Sequence, residues 1–101
     1  APPIIVLSPS GGDRVTSPVT ISGTANVFEA TVSFRIVDAN GVVLKRAFTT
    51  ATCGTGCRGD YSKDVRFDVS EEQGGFIEVF ESSAEDGSAL HKVRVPVTLV
   101  P

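Results

Sequence analysis

Apolar and polar residues alternate one by one in four short runs of this sequence, and a period of two is typical of strands rather than helices. The inward members of the runs are Val19, Ile21, Gly23 and Ala25; Val32, Phe34 and Ile36; Val65, Phe67 and Val69; and Val93, Val95, Val97 and Leu99. Successive side chains of a strand point to opposite faces, so each run predicts a strand with one buried face. No window keeps a helical spacing over three turns, and we expect almost no helix.

Turn-forming residues separate these runs at short intervals, at 8–13, 71–75 and 84–88. Asn40-Gly41 is the strongest turn signal, because both residues tolerate positive φ; it predicts a two-residue type I′ hairpin that pairs Ala39 with Val42. Runs and turns together predict about seven strands, at 3–7, 18–25, 31–38, 42–50, 61–69, 76–82 and 89–100. They indicate an all-β chain folded as an antiparallel two-sheet sandwich, with a small closed barrel as the alternative.

The predicted strand 76–82 carries apolar residues on both faces, with Ile77 and Val79 on one and Phe76 and Phe80 on the other. Two interpretations stay open. It is a central strand whose outer side is covered by neighbouring side chains, or it bears an exposed aromatic patch that docks another domain.

The length and net charge of the chain indicate one domain and argue against nucleic-acid binding. The 101 residues fit one domain, 1–101, and the net charge of −3 leaves no footprint for nucleic acid. No apolar run approaches the roughly 20 residues of a membrane span, so we expect no direct membrane insertion of this chain. The chain begins at Ala1 without an initiator Met, which we interpret as a mature or excised fragment.

Residues 51–62, ATCGTGCRGDYS, contain both cysteines of the chain. Redox centres of the thioredoxin kind place C-x-x-C at a helix N-terminus, whereas three residues separate Cys53 from Cys57 and no helix follows. A zinc site needs four N or S ligands, and His91 is the one histidine available. We therefore expect no metal and no cofactor, and a Cys53–Cys57 disulfide whose intervening glycines permit the tight reversal.

Catalysis is not expected from this sequence. A hydrolase triad would need His91 as its base, but that residue shares the phase of Val93 and Val95, which places it at the rim of the core. No G-x-S-x-G elbow precedes a helix. Arg58-Gly59-Asp60 spells an integrin-binding motif, which we interpret as a loop exit whose Gly59 permits the turn into Tyr61.

Three segments resemble a known family: IIVLSPSGGDRVTSPVTISGTANVFEATV (4–32), VDANGVVL (37–44) and FESSAEDGS (80–88). They are similar to the Gmad-type immunoglobulin-like domain of bacterial spore-germination proteins, often found beside a GerMN-type domain. The resemblance implies an immunoglobulin-like sandwich that serves as an extracytoplasmic accessory domain of bacterial lipoproteins or envelope proteins, without catalytic residues. The chain departs from the family at 53–57, where a Gly-rich loop without cysteines is expected.

Counting strand reversals groups the loops. In an up-and-down order the links 26–30, 51–60 and 83–88 share one end, and the links 8–17, 39–41 and 70–75 share the other. We expect the first end to be the interaction surface for a partner domain, an envelope polymer or a hard cation. Its candidate residues are Phe28, Glu29, Arg58, Asp60, Glu85 and Asp86, with Glu29, Glu81, Glu85 and Asp86 as candidate calcium ligands. Alternatively, Glu29 and Asp86 accept hydrogen bonds from backbone N–H groups of their own turns.

The sequence thus predicts a non-catalytic interaction or spacer domain of a bacterial cell-envelope or spore-germination-related protein. The alternative is a carbohydrate-binding module of an extracellular protein, with Phe28, Phe80 or Tyr61 stacked on sugar rings. Such sites usually use exposed Trp or Tyr, and this chain has no Trp and one Tyr.

Overall fold

The computed structural model describes residues 1–101 and is built almost entirely from strands. They are β1 (Ile4–Ser8), β2 (Arg14–Val15), β3 (Val19–Ala25), β4 (Thr31–Asp38), β5 (Val43–Thr50), β6 (Gly59–Val65), β7 (Gln73–Ser82) and β8 (Ala89–Leu99). A short turn of 3₁₀ type, Phe28–Ala30, is the only other regular element. The strand expected at 61–69 ends at Val65, so Phe67 and Val69 lie outside it, although both still pack against the core.

The strands form two sheets, in the order β1-β3-β6 and β2-β8-β7-β4-β5. All neighbours are antiparallel except β2, which runs parallel to β8. The chain crosses between the sheets five times, from β1 to β2, β2 to β3, β3 to β4, β5 to β6 and β6 to β7. The expected all-β, immunoglobulin-like two-sheet sandwich is confirmed, with eight strands instead of about seven.

The additional strand arises because the start of the chain changes sheets. β1 pairs with β3, and after residues 9–13 β2 pairs with β8 in the opposite sheet. Two backbone hydrogen bonds hold this crossing, from Gly12 N–H to Pro96 O and from Thr98 N–H to Asp13 O, both 2.8 Å. The segment 8–17, expected to be a plain link at one end, therefore contains a strand along the side of the sandwich.

The β4–β5 hairpin turns where expected, but with different geometry. Gly41 N–H donates to Asp38 O (3.0 Å) and Asp38 N–H to Val42 O (2.9 Å), so the loop has three residues, 39–41. Gly41 has φ +85°, whereas Asn40 is not left-handed. This is a type I turn followed by a left-handed glycine, and the type I′ expectation was wrong.

The core lies between the sheets and draws on both. Seventeen buried residues form one cluster, and Ile21 of β3, Phe34 of β4 and Ile77 of β7 are at most 1% exposed. The faces defined by the alternation in the sequence are the buried ones. Removal of this apolar area from water is the main stabilising contribution to such a fold.

The outer face of β7 is covered by cationic side chains. β7 lies between β8 and β4, and Arg35 of β4 places its guanidinium 4.4 Å from the ring centroid of Phe80. Arg94 of β8 covers Phe76 in the same way at 3.8 Å. The interpretation of 76–82 as a covered central strand was right, and the exposed aromatic patch was wrong.

A bulge in β8 moves His91 away from its expected place. Leu90 pairs with Glu81 and Val93 with Val79, so His91 and Lys92 together stand opposite Phe80. His91 has φ +56° and is exposed. The extra residue breaks the alternation, and the expectation that His91 lies at the rim of the core was wrong.

Candidate interaction end

One end of the sandwich carries three loops, 26–30, 51–58 and 83–88, which we call the disulfide end. Cys53 and Cys57 are joined there by a disulfide with a Cα–Cα distance of 5.7 Å, as the sequence predicted. The bridge closes the β5–β6 loop immediately before β6 begins at Gly59.

The 26–30 loop is bound to the disulfide loop by reciprocal hydrogen bonds. Glu29 N–H donates to Thr55 Oγ1 (2.8 Å), and Thr55 N–H donates to Val27 O (3.0 Å). Gly56 N–H donates to Asn26 Oδ1 at 3.2 Å. The two loops therefore form one connected unit, although they come from different crossings between the sheets.

Close approach and unusual backbone geometry accompany these bonds. A Cβ on Gly54 would lie 2.3 Å from Ala30 N, so only glycine fits there. Glu29, Ala30 and Thr55 have φ of 54°, 61° and 52°, which non-glycine residues rarely adopt. Left-handed residues of this kind persist only where surrounding contacts determine the conformation, and here the contacts are those between the two loops.

Residues 58–60 brace the disulfide loop against the small sheet. The Arg58 guanidinium donates to Thr24 Oγ1 at 3.0 Å and also to Pro2 O. Asp60 N–H donates to Thr52 Oγ1 at 2.9 Å. A Cβ on Gly59 would lie 2.2 Å from Cys53 N, and its φ is not positive. Gly59 thus serves close packing, and the interpretation that it permits a turn was wrong.

The 83–88 loop stands apart from this unit. Asp86 Oδ1 accepts a hydrogen bond from Ser88 N–H at 2.9 Å, and these Ser88 contacts lower the pKa of Asp86. Glu85 N–H donates to Ser83 Oγ at 3.2 Å, and both acidic side chains are exposed. No hydrogen bond or ion pair joins 83–88 to the other two loops.

The acidic residues of the disulfide end do not converge on one point. Glu81, at the end of β7, accepts a hydrogen bond from Phe28 N–H at 3.1 Å, while the Glu29 carboxylate accepts none. The turn-capping alternative therefore holds for Asp86 and fails for Glu29. No three His, Cys, Asp or Glu side chains lie close enough to hold a metal ion, so the proposed set of calcium ligands is not assembled.

The family model of Gmad2, described as the immunoglobulin-like domain of bacterial spore germination, matches residues 3–88. The chain belongs to this family. The match ends before β8, yet β8 pairs with β7 and β2 and completes the larger sheet of this Gmad2 domain.

A solved structure shares the fold. The crystal structure of CopC from Methylosinus trichosporium OB3b is 17% identical to this Gmad2 domain, with a TM-score of 0.52 over 97% of this chain and 94% of that chain. At this identity the likeness concerns the fold alone. No curated protein matches the chain. The domain contains no helix long and apolar enough to cross a membrane.

The aromatic residues considered for sugar stacking are spread over different parts of the Gmad2 domain. Phe28 is 55% exposed on the 26–30 loop. Phe80 is buried beneath Arg35, and Tyr61 is buried in the core with its hydroxyl donating to Ile5 O at 2.8 Å. The three rings form no common platform, and of the three only Phe28 is exposed at the surface.

Sequence reasoning missed the side chains that hold the disulfide end together, namely Asn26, Thr52 and Thr55. Each is a short polar residue in a loop, which is the type that binds backbone N–H groups. Their partners lie 8 to 30 positions away along the chain. The residue types were thus a usable signal, but the pairing required the sheet crossings.

Proposed function

We propose that this Gmad2 domain is a non-catalytic interaction or spacer domain of a bacterial cell-envelope or spore-germination-related protein. It is located outside the cytoplasm and binds another protein domain or an envelope polymer through the disulfide end. The observation that carries the proposal is the rigid pair of loops, 26–30 and 51–58, that presents the half-exposed Phe28.

Rigidity favours binding because loops that are already ordered lose less entropy on association. The disulfide, the Glu29–Thr55 hydrogen bond and the close Gly54–Ala30 contact all fix the conformation of the loop that bears Phe28. Aromatic side chains held in this way are common anchors of protein interfaces.

The surroundings of the single histidine support a non-catalytic role. His91 Nε2 lies 3.8 Å from Glu81 Oε1, and it hydrogen-bonds to no Ser, Thr or Cys. General-base activation of a nucleophile needs such a contact, at about 3 Å.

The proposed location outside the cytoplasm rests on the disulfide, because such bridges persist in oxidising compartments. Alkylation of intact cells of the bacterium that carries the gene, without reductant, tests it. Cys53 and Cys57 are expected to stay unmodified until a reductant is added. Alkylation of both thiols in untreated cells would contradict the proposed location.

Binding at the disulfide end is tested by photo-crosslinking in the same cells. A photoreactive phenylalanine replaces Phe28, and in a matched control it replaces Val42, which is 56% exposed on the hairpin at the opposite end. We expect a defined adduct, protein or polymer by mass spectrometry, at position 28 only. Loss of that adduct in the Cys53→Ser/Cys57→Ser background supports the role of the disulfide. Equal labelling at both positions, or no adduct at 28, would contradict the proposal.

A further inference from the structure

The strand β5 forms an open edge of the larger sheet, since β4 is its only neighbour. Ala51 N–H donates to Ala30 O at 2.8 Å, in line with the register that pairs Thr31 with Thr50. Hydrogen-bonded and non-hydrogen-bonded pairs alternate along an antiparallel ladder. It follows that Arg46, Phe48 and Thr50 direct their backbone N–H and C=O groups away from the sheet, where another strand can bind them.

On the outer face of this sheet, arginine side chains cover the phenylalanine rings of β7, but the phenylalanine of β5 is not covered. Arg35 and Arg94 each stand opposite Glu78. Arg35 covers Phe80, two residues after Glu78, and Arg94 covers Phe76, two residues before it. Phe48 is the third phenylalanine of this face and is 66% exposed. No arginine covers it.

The strand that carries the uncovered Phe48 also carries an arginine, Arg46, that covers no phenylalanine. Arg46 lies on the outer face of β5, two residues before Phe48, and it takes part in no ion pair and no cation–π contact. An open hollow lined by Arg46, Phe48 and Phe80 lies beside it. β5 thus carries an uncovered aromatic ring and a guanidinium that covers no ring, and both lie beside backbone N–H and C=O groups that point away from the sheet.

We propose that β5 is a homodimerisation edge, which pairs antiparallel with β5 of a second copy about a two-fold axis at Phe48. Phe48 then stands opposite Phe48 of the second copy, and Arg46 opposite Thr50 of the second copy. Each of these pairs exchanges two backbone hydrogen bonds. Arg46 of each copy stands opposite Thr50 of the other, and Phe48 lies two residues before Thr50. This is the offset at which Arg94, opposite Glu78, covers Phe76.

Charge argues against one neighbouring register. Moving the axis to Arg46 would place two guanidiniums directly opposite each other, which is unfavourable. With the axis at Phe48, Lys45 stands opposite Ala51 of the second copy, beyond the end of the strand. A second copy is the favoured occupant because β5 carries both an arginine and a phenylalanine. In a two-fold interface Arg46 of each copy can therefore cover Phe48 of the other.

Analytical ultracentrifugation of the 101-residue chain up to about 1 mM tests the proposal, with Phe48→Ala and Arg46→Glu as variants and Phe28→Ala as the matched control. We expect a concentration-dependent dimer that each β5 variant weakens by about tenfold or more, while Phe28→Ala leaves it unchanged. Circular dichroism verifies that each variant is folded. A chain that stays monomeric throughout, or a dimer unaffected by Phe48→Ala, would overturn the proposal.

Cysteine crosslinking tests the register. Positions 47 and 49 face each other between copies as a non-hydrogen-bonded pair, about 4.5 Å apart at Cα, which a disulfide can span. An equimolar mixture of Ala47→Cys and Thr49→Cys chains is expected to give the mixed dimer in preference to either homodimer. Preferred Ala47→Cys homodimers would overturn this register. Because Phe28 and β5 are tested by separate variants, failure here leaves the proposed function of the disulfide end intact.

Discussion

Tyr61 reaches across the small sheet to a strand that is not its neighbour. It pairs with Gly23 of β3, and its hydroxyl donates to Ile5 O of β1 on the far side of that strand. A Cβ at Gly23 would lie 2.7 Å from the Tyr61 hydroxyl and 1.9 Å from Ile5 O. The glycine, in a strand that is otherwise rich in β-branched residues, therefore provides the space through which the ring and the hydroxyl pass.

Gly23→Ala is expected to destabilise the domain by about 2–3 kcal/mol, because the new methyl group meets both backbone and the tyrosine hydroxyl. Urea denaturation measures the change. Gly74→Ala is the matched control, since Gly74 is also in a strand but has open space where a Cβ would be. Equal stability of the two variants would contradict this role of Gly23.

Burial raises the pKa of Tyr61 from 10.0 to about 12. The folded state thus favours the neutral phenol. The contribution of Tyr61 to the free energy of unfolding is therefore complete below pH 10 and is lost as the pH rises towards 12. At 1.4 kcal/mol per pKa unit the loss is on the order of 2 kcal/mol. Urea denaturation across this range gives the decrease, and tyrosinate absorbance reports Tyr61 alone because the chain has one Tyr and no Trp.

Tyr61→Phe is the control for this pH dependence, because it removes the phenol and leaves every other titratable group in place. The variant is expected to lose about 1 kcal/mol at neutral pH through the missing hydrogen bond to Ile5 O. Its stability should then fall less steeply than that of the wild type between pH 10 and 12. Parallel curves for the two proteins would show that Tyr61 does not cause the alkaline loss.

The strand β7 places one buried carboxylate beneath three cations. Glu78 is 7% exposed at its side chain, and its oxygens lie 3.0 Å from Arg35 Nε, 3.5 Å from Arg94 Nε and 3.6 Å from Lys92 Nζ. The cations themselves remain 22% to 48% exposed, so water screens each pair. Glu78 still orients the two guanidiniums that cover Phe76 and Phe80.

Glu78→Gln keeps the size of the side chain and removes its charge, and we expect a loss of about 1–2 kcal/mol in the free energy of unfolding. Glu72→Gln is the comparison, because Glu72 pairs with Arg14 at 2.8 Å on the exposed surface and should matter little. Thermal unfolding of both variants, with and without added salt, measures the difference. An equal effect of the two substitutions would contradict a structural role for Glu78.

Local patterns predicted elements well where the cause lay within the element. The buried faces of β3, β4 and β8 followed from alternation alone, and Asn40-Gly41 located the β4–β5 turn. The turn type failed because Asp38 Oδ1 accepts hydrogen bonds from the backbone of Asn40 and Val42, both at 2.9 Å, which stabilises a type I turn. Asp38 precedes the Asn40-Gly41 pair, and a prediction based on that pair alone does not take its side chain into account.

Features that depend on distant pairing were not predictable in this way. β2 has only two residues, and it forms because Arg14 and Val15 pair with Thr98 and Leu99 near the other end of the chain. The bulge at His91 likewise depends on the register of β7. At the disulfide end, the Cys53–Cys57 bridge followed from spacing, whereas the joining of loops 26–30 and 51–58 needed knowledge of which strands change sheets.

The whole molecule has one core, and neither sheet can bury its apolar face alone. The smaller sheet has three strands, and its inward residues Ile21 and Val65 belong to the same cluster as Ile77 and Leu99 of the larger sheet. The radius of gyration, 13.1 Å, is that expected of a single compact domain of about 100 residues. β1 and β2 also tie the sheets together, because one stretch of chain pairs first in one sheet and then in the other.

A shared core implies that the two sheets unfold together. We expect native-state hydrogen exchange to give the most protected amides of β3 and those of β7 the same free energy of opening, equal to that of global unfolding by urea. Reduction of Cys53–Cys57 should lower both values by about 2 kcal/mol, since the bridge restricts a short loop of the unfolded chain. If β3 and β6 exchanged through an opening of lower free energy while β7 stayed protected, the small sheet would be a separate cooperative unit. The core would then stabilise the two sheets unequally.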